Sequence, residues 1–329
     1  MKRISSYSPL RVSFAGGGTD ISPFLEKYGT SVLNTTIDKG VYVSYVEDSS
    51  PLEITSRDFL KTIVFGAENG SNFQEKIMEL FIKNGISKGR IYINGEVPPG
   101  SGLGSSSAMV NSMIRIIQEI NGEYSGTLDL AKKSYETERH HFNITLGIQD
   151  PYAIAEGGFK YMESDGSYFM FQHLEDSRIM EKLEEGMIIA YTGSTRESSE
   201  ALKEQVIKSE RGEKDILENL NHLRQIARDL LKSTEDSNWA NFCRKVNEGW
   251  EIKKSLGKNI SGEKVEKIIG IAMSNGAKAA RLLGGGMQGF VLILAEKSDV
   301  WRIQNQLKML SEFVLRVSPS GKGTHLFSF

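Results

Sequence analysis

The chain has 329 residues, of which 39% are hydrophobic and 25% charged, as is typical of a globular protein with one large or two medium domains. Its formal net charge of −2 excludes a general electrostatic attraction to nucleic acid or anionic membranes, so any phosphate affinity must be local. The single cysteine, Cys243, excludes an internal disulfide. No apolar run approaches the roughly twenty residues that span a bilayer. We therefore expect a cytoplasmic protein that binds small molecules, without a nucleic-acid or membrane partner.

The first half of the chain predicts a mixture of strands and helices. Alternating or β-branched patterns predict strands at residues 10–15, 31–46 (one or two strands), 90–97 and 187–191. Apolar residues at helical spacing predict helices at residues 73–84, 109–117 and 127–142. Strands and helices therefore alternate irregularly along this half.

The second half begins with a long helical region and ends in a smaller mixed unit. Residues 197–275 are charged and helical, with connections expected at 209–215 and 255–262. The elements that follow are predicted as a strand, a glycine turn and a strand over 278–294, a helix at 298–310 and a strand at 313–317. This order indicates a split α/β unit. We place a boundary between two closely packed halves near residue 180.

The most informative stretch is PPGSGLGSSSA, residues 98–108, which separates a predicted strand from a predicted helix. Its glycines allow backbone N–H groups to converge on an oxygen-rich ligand, and the helix N-terminus adds unpaired donors. No Lys-Ser/Thr pair closes it as in a Walker sequence, and no dinucleotide fingerprint matches. A triphosphate is the expected ligand, and a simple glycine-rich turn is the alternative.

Two further glycine-dense turns, at residues 16–18 and 284–286, also follow predicted strands. Because glycine has no side chain, each of the three turns can bring exposed backbone to one shared cleft. The alternative is that the glycines only form a hairpin turn, which is their ordinary role. We predict that the three turns meet.

Several polar side chains could carry phosphoryl transfer, which needs positioned phosphates, a divalent cation and an oriented hydroxyl. Ser106 offers a hydroxyl and Glu138 a carboxylate for magnesium, although Glu138 also fits a solvated helix charge. Asp150 lies in an apolar stretch and could orient or deprotonate an acceptor hydroxyl, or could instead cap a helix. Arg11 could pair with Asp150 or lie on a solvated strand face.

With these residues assembled, the chain resembles the superfamily of galactokinase, homoserine kinase, mevalonate kinase and phosphomevalonate kinase, the GHMP kinases. Three signatures occur in order, namely PLRVSFAGGGTD at 9–20, PPGSGLGSSSA at 98–108 and LGGGMQG at 283–289. The resemblance covers nearly the whole chain. It implies an α+β, two-domain fold, with a domain like ribosomal protein S5 domain 2 over residues 1–180 and a ferredoxin-like domain over 181–329.

The resemblance also implies roles for individual residues. Asp150, in GIQD, matches the catalytic aspartate of the sugar kinases, with Arg11 beside it. Magnesium would be bound by Ser106 and Glu138. The ATP phosphates would be bound by Pro99, Gly100, Ser101, Gly102, Leu103, Gly104, Ser105, Ser106 and Ser107. The acceptor would be bound by Gly17, Gly18, Thr19, Asp20, Arg196, Gly285 and Gly286. A homodimer is one assembly we expect for such a kinase.

Within the superfamily, GGGTD, NTTIDK at 34–39 and YTGSTR at 191–196 look most like the D-glycero-D-manno-heptose 7-phosphate kinases. These enzymes phosphorylate the anomeric hydroxyl of a sugar phosphate. Ile148 stands where that branch often has lysine, and Pro151 and Lys160 also depart from its pattern. Because these departures lie near the expected acceptor pocket, they concern the identity of the acceptor more than the reaction.

We expect an ATP- and magnesium-dependent kinase whose acceptor is a hydroxyl of a small sugar or sugar phosphate. Arg196, with Lys39 or Lys160, is a candidate for binding the acceptor's own phosphate. The alternatives are a mevalonate 3-phosphate 5-kinase or another GHMP kinase acting on a phosphorylated acid, an ATP-dependent decarboxylase, and a sensor that binds nucleotide without turnover.

Overall fold

A computed structural model of the chain describes residues 2–56, 61–64, 72–98, 100–193, 199–257, 260–286 and 288–327. The strands are β1 Arg3–Ala15, β2 Thr30–Pro51, β3 Glu53–Ser56, β4 Lys61–Val64, β5 Lys88–Gly95, β6 Phe159–Ser164, β7 Phe169–His173, β8 Met187–Tyr191, β9 Ala279–Leu282, β10 Phe290–Leu294, β11 Val314–Arg316 and β12 His325–Phe327. They form two sheets.

The helices come from both halves of the chain. They are α1 Phe24–Tyr28, α2 Asn72–Lys83, α3 Ser105–Asn121, α4 Thr127–Glu136, α5 Gln149–Glu156, α6 Arg178–Gly186, α7 Ser199–Glu210, α8 Lys214–Glu235, α9 Trp239–Lys254, α10 Glu263–Ser274 and α11 Lys297–Leu307, with a π-helical turn at Thr137–His141. None of the helices in the described ranges is long and apolar enough to cross a membrane.

The larger sheet is built around β2. Its path runs β12-β1-β2-β5-β3-β4, and β6 and β7 branch from the first part of β2. The register pairs Thr30 to Thr35 of β2 with β6, and Val41 onwards with β5. One long strand therefore serves two sets of neighbours. The pairing of β1 with β2 shifts register after Pro9 and again after Ser13, on either side of Arg11.

The smaller sheet has the order β11-β8-β10-β9, with antiparallel neighbours throughout. Its central strands β8 and β10 are buried along their full length. Continuous burial explains why both read as uninterrupted apolar runs rather than alternating patterns. The strand, turn, strand, helix and strand predicted over 278–317 are confirmed.

The two halves share one hydrophobic core. Phe14 of β1 contacts Phe159 of β6 and Phe242 of α9, with ring centroids 5.8 and 5.4 Å apart and edge-on geometry. Residues of α8 and α9 belong to the same buried cluster as those of β1 and α3. The C-terminal strand β12 pairs with β1, Ser5 lying opposite Phe327. A boundary near residue 180 stays a prediction.

The structure decides one open prediction and changes another. Residues 31–46, predicted as one or two strands, lie within a single strand, β2. The helix predicted over 127–142 ends at Glu136 and continues as the π-helical turn. This change in winding matters for the site, because Glu138 lies in the turn and is buried.

Candidate active site

The three glycine turns meet at one cleft, as the sequence predicted. The cleft has a volume of about 200 Å³. Its lining includes glycines of every turn, namely Gly17, Gly18, Gly100, Gly102, Gly104, Gly284 and Gly285. The turns come from β1, from the loop before α3 and from the β9–β10 connection. The cleft therefore lies where the larger and smaller sheets adjoin.

Two of these glycines touch across the cleft. A Cβ on Gly102 would lie 2.7 Å from the carbonyl oxygen of Leu283, and one on Gly284 would lie 2.6 Å from the Cα of Gly102. Both have positive φ, 77° and 78°. Close backbone approach and left-handed geometry together require glycine at both positions. Nearby, the amide of Phe290 donates to the carbonyl of Ser101 at 3.0 Å, joining the loop to the smaller sheet.

The N-terminus of α3 opens onto the cleft. Gly104 caps it in the left-handed region, with φ 75° and no side-chain capping bond, and the first turn holds no acidic residue. The next three serines, Ser105, Ser106 and Ser107, line the cleft. Unpaired N–H groups and the positive end of the helix dipole are suited to an anion such as a phosphate.

Glu138 lies beside this helix start and is only 1% exposed. The hydroxyl of Ser106 donates to its Oε1 at 2.7 Å, and that of Ser107 donates to its Oε2 at 2.6 Å. Burial raises the pKa of Glu138 to about 7, against the lowering effect of the two serine hydrogen bonds. A buried carboxyl group with a hydroxyl beside a helix start suited to phosphate offers the hard oxygen ligands that magnesium takes. The residues present therefore fit the ion.

Arg11 and Asp150 form a bidentate ion pair within the cleft. The guanidinium donates from Nε to Oδ1 and from Nη2 to Oδ2, each at 2.7 Å. Its Nη1 also donates to the carbonyl of Gly102 at 2.6 Å. The side chain of Asp150 is 25% exposed, against 6% for Arg11. The arginine is thus a fixed support, and the carboxylate keeps access to a ligand.

A second carboxylate, Asp20, lies close to Asp150. Its oxygens accept from the amides of Gly18 and Gln149, each at 3.0 Å. Gln149 also approaches Asp150, its Nε2 being 3.4 Å from Oδ1. Burial, followed by the charge of Asp150, raises the pKa of Asp20. The close approach also accounts for Gly147, since a Cβ there would lie 1.9 Å from Oδ2 of Asp20.

The sequence did not single out several side chains that line the cleft, among them Lys253, Arg281 and Gln205. Lys253, at the end of α9, donates to the carbonyl of Gly284 at 2.5 Å. Arg281 donates to the carbonyl of Phe14. The amide of Gln205 in α7 donates to the carbonyl of Gly18 at 2.9 Å. Only Arg281 carried a usable signal, as a charge within the apolar run AARLL.

Comparison with known protein families shows the family to which the chain belongs. Residues 72–158 match the GHMP kinases N terminal domain, and residues 227–311 match the GHMP kinases C terminal model. The chain belongs to the GHMP kinases. It is accordingly an ATP-dependent phosphotransferase with the two-domain GHMP kinase fold, as the sequence predicted.

Individual relatives of this GHMP kinase span nearly its whole length. D-glycero-alpha-D-manno-heptose 7-phosphate kinase of Campylobacter jejuni is 28% identical over 98% of both chains. Galactokinase of Thermococcus kodakarensis is 27% identical over 88% of this chain and 89% of its own. Mevalonate kinase of Pyrococcus abyssi is 25% identical over 82% and 83%. Among solved structures, a D-glycero-D-manno-heptose 1-phosphate kinase from Bacteroides thetaiotaomicron superposes with a TM-score of 0.78 at 25% identity, covering 99% of both chains.

Some predicted site residues of this GHMP kinase lie away from the cleft lining. Thr19 is buried. Its hydroxyl donates to the carbonyl of Gly16 and contacts the hydroxyl of Thr30. Ser101, Leu103 and Gly286 are also buried next to the cleft without lining it. Pro99 and Arg196 lie outside the described residues.

The two lysines considered for the acceptor's phosphate lie away from the cleft of this GHMP kinase. Lys39 lies 3.9 Å from a carboxylate oxygen of Glu96 and close to Asp38. Lys160 is fully buried and donates to the carbonyl of Gly158 at 3.1 Å. Burial lowers the pKa of Lys160 to about 7. Neither ammonium lines the cleft.

Proposed function

We propose that this GHMP kinase transfers the γ-phosphoryl group of ATP to the anomeric hydroxyl of a sugar phosphate, with D-glycero-D-manno-heptose 7-phosphate as the acceptor. The observation that carries the proposal is the similarity to the Campylobacter jejuni heptose 7-phosphate kinase, which extends over 98% of both chains. The juxtaposition of two aspartates with a phosphate-binding helix start supports the same chemistry.

The ATP phosphates bind, in this proposal, between the loop at 100–104 and the N-terminus of α3. Gly100, Gly102 and Gly104 leave the backbone bare, and all three have positive φ. The helix start supplies unpaired N–H donors and a partial positive charge. The contact between Gly102 and Gly284 ties this loop to the smaller sheet, which holds it in place before the nucleotide arrives.

Ser106 and Glu138 are the residues that would hold magnesium. When bound, the ion would neutralise phosphate charge during transfer. The buried carboxyl group of Glu138 would supply a charged oxygen once the ion displaces its proton, and the Ser106 hydroxyl directed at it would supply a neutral oxygen. Among the described residues no group of three His, Cys, Asp or Glu could hold a metal. One or two protein ligands, with substrate phosphates supplying others, is the usual arrangement for magnesium.

Asp150 orients the acceptor hydroxyl and takes its proton as the oxygen attacks the γ-phosphorus. The bond from that phosphorus to the bridging oxygen breaks, and ADP leaves. Arg11 fixes both oxygens of Asp150, and Oδ2, which accepts only from Arg11, retains a lone pair for the hydroxyl. Asp20 accepts hydrogen bonds from other sugar hydroxyls. Gly17, Gly18 and Gly285, which line the cleft, shape the space for the sugar.

The first experiment is ATP consumption by the purified protein against a panel of acceptors. The panel holds D-glycero-D-manno-heptose 7-phosphate, mannose, fucose, galactose, mevalonate and mevalonate 3-phosphate. We expect turnover on the heptose phosphate, and phosphorus NMR of the product to show a new phosphate on the anomeric carbon. The Asp150→Asn variant, run in parallel, should lose this activity.

Other outcomes assign the protein differently. Turnover on mevalonate 3-phosphate alone would replace the sugar by a phosphorylated acid. Release of carbon dioxide with ATP consumption would indicate a decarboxylase. Binding of ATP without turnover of any acceptor would contradict the proposal.

A further inference from the structure

Two buried cations line the cleft without a carboxylate partner. Lys253 is 8% exposed and Arg281 is 2% exposed. Within the described part of the chain, neither has a carboxylate oxygen within 4 Å, and Nε of Arg281 has no hydrogen-bond partner at all. Each is anchored to a backbone carbonyl instead, Lys253 to that of Gly284 and Arg281 to that of Phe14. Burying charge in this way is costly unless another group compensates it.

The carboxylates of the cleft already have other partners. Asp150 is held by Arg11, and Asp20 accepts from two backbone amides. Glu138 accepts from the hydroxyls of Ser106 and Ser107. The charges of Lys253 and Arg281 are therefore left for a group that none of the described residues supplies.

We infer that Lys253 and Arg281 form a phosphate subsite, separate from the N-terminus of α3, that binds a phosphoryl group of a bound small molecule. The two cations come from the end of α9 and from β9, and both line the cleft. An ammonium and a guanidinium fork together match the three oxygens of a phosphate. The Nε of Arg281 is buried and has no partner among the described residues, so a phosphate oxygen would satisfy it.

The acceptor's own phosphate is the first source to consider, and here the inference rests on the proposed function. Among the carboxylates, the charges that act on Lys253 are Asp20 and Asp150, the two proposed for the acceptor. Glu138, on the proposed magnesium side, is not among them. Burial, together with Arg281 and Arg11, lowers the pKa of Lys253 to about 7, which is the cost that a bound phosphate would relieve. The terminal phosphate of the nucleotide is the other source with the same chemistry.

The test uses inorganic phosphate as the probe, measured by calorimetry on the whole protein saturated with magnesium and β,γ-imido-ATP. With the nucleotide site filled, wild-type protein should still bind phosphate. Lys253→Met should weaken that binding about 10- to 100-fold, the loss of one charge-assisted hydrogen bond. Lys253→Arg should restore most of it. The control is Lys254→Met, which removes an ammonium paired with Glu251 on the same helix and should leave phosphate binding unchanged.

Kinetics then separate the two sources. If the acceptor supplies the phosphate, Lys253→Met raises KM for the phosphorylated acceptor about 10- to 100-fold and leaves KM for ATP unchanged. If the nucleotide supplies it, phosphate binds only without β,γ-imido-ATP, and Lys253→Met weakens the analogue itself. In that case Lys253 and Arg281 still form a phosphate subsite, and the phosphate that they bind belongs to the nucleotide.

A purely structural role gives a different pattern. Equal phosphate binding by wild type and Lys253→Met, with matching thermal midpoints, would overturn the inference, as would no phosphate binding by wild type with or without the analogue. Because calorimetry needs no turnover, it shows whether the subsite binds phosphate even if no acceptor of the panel is phosphorylated and the proposed function fails. Arg281→Lys is a second variant, which keeps the charge and removes the unpartnered Nε.

Discussion

Arg11 holds both carboxylate oxygens of Asp150 and, through its third nitrogen, the carbonyl of Gly102. One side chain therefore connects the proposed base to the loop proposed for ATP. Two parallel charge-assisted bonds fix the plane of the carboxylate as well as its position. Arg11 thus fixes Asp150, which is proposed to orient the acceptor hydroxyl, relative to the loop proposed for ATP. A change at Asp150 or at Gly102 is therefore expected to affect the other residue.

Asp150→Asn should lower kcat by about 10²- to 10⁴-fold, the usual contribution of a positioned acid–base group. The amide cannot take the hydroxyl proton, and its NH₂ group faces the donors of Arg11. KM for ATP should stay near the wild-type value, because the loop and the α3 start are untouched. Steady-state kinetics on the best acceptor provide the measurement. Unchanged kcat would remove Asp150 from the proposed chemistry.

Glu138→Gln should raise the magnesium concentration needed for half-maximal activity by about 10-fold or more, because it removes the charged ligand. The matched control is Glu136→Gln, two residues earlier and exposed, where the magnesium requirement should not change. A magnesium titration of ATP turnover makes the comparison. Equal magnesium curves for both variants would show that Glu138 has a structural role only.

Gly102→Ala should destabilise the protein more than Gly122→Ala, although both glycines have φ near 70°. Left-handed strain costs each variant about 1–2 kcal/mol. A Cβ at Gly122 meets no atom within 4 Å, whereas one at Gly102 meets the backbone of Leu283 at 2.7 Å. This clash adds about 1–3 kcal/mol. Guanidinium unfolding measures both free energies, and equal values would mean that the turns do not touch in solution.

Much of the site could be predicted because its signals are local. Each glycine turn follows a strand, and PPGSGLGSSSA carries its own strand–loop–helix context. Arg11 and Asp150 were recognisable as charges within apolar stretches, where burial without a partner is costly. The strands β8 and β10 were recognisable because full burial produces continuous apolar runs.

The remaining features depend on packing between distant segments, which local sequence does not encode. Lys253 lies beside Lys254 and two residues after Glu251 in a charged helix and reads as a solvated residue, yet the packing of α9 against β9 buries it. Glu138 also reads as a surface charge, and its burial follows from the π-helical turn. Thr19 is the opposite case. It was expected to bind the acceptor, but its hydroxyl donates to the carbonyl of Gly16 within the same turn.

The affinity of the proposed phosphate subsite should fall as pH rises above about 7. Lys253 is protonated below its pKa of about 7, which burial, Arg281 and Arg11 lower against the opposing charges of Asp20 and Asp150. Above that pH the free protein must first bind a proton, so affinity drops by up to about tenfold per pH unit. Sulfate is the suitable probe, because its own charge is constant between pH 6 and 9. Lys253→Arg, which stays charged, should flatten the profile, and a flat wild-type profile would show that the ammonium does not bind the anion.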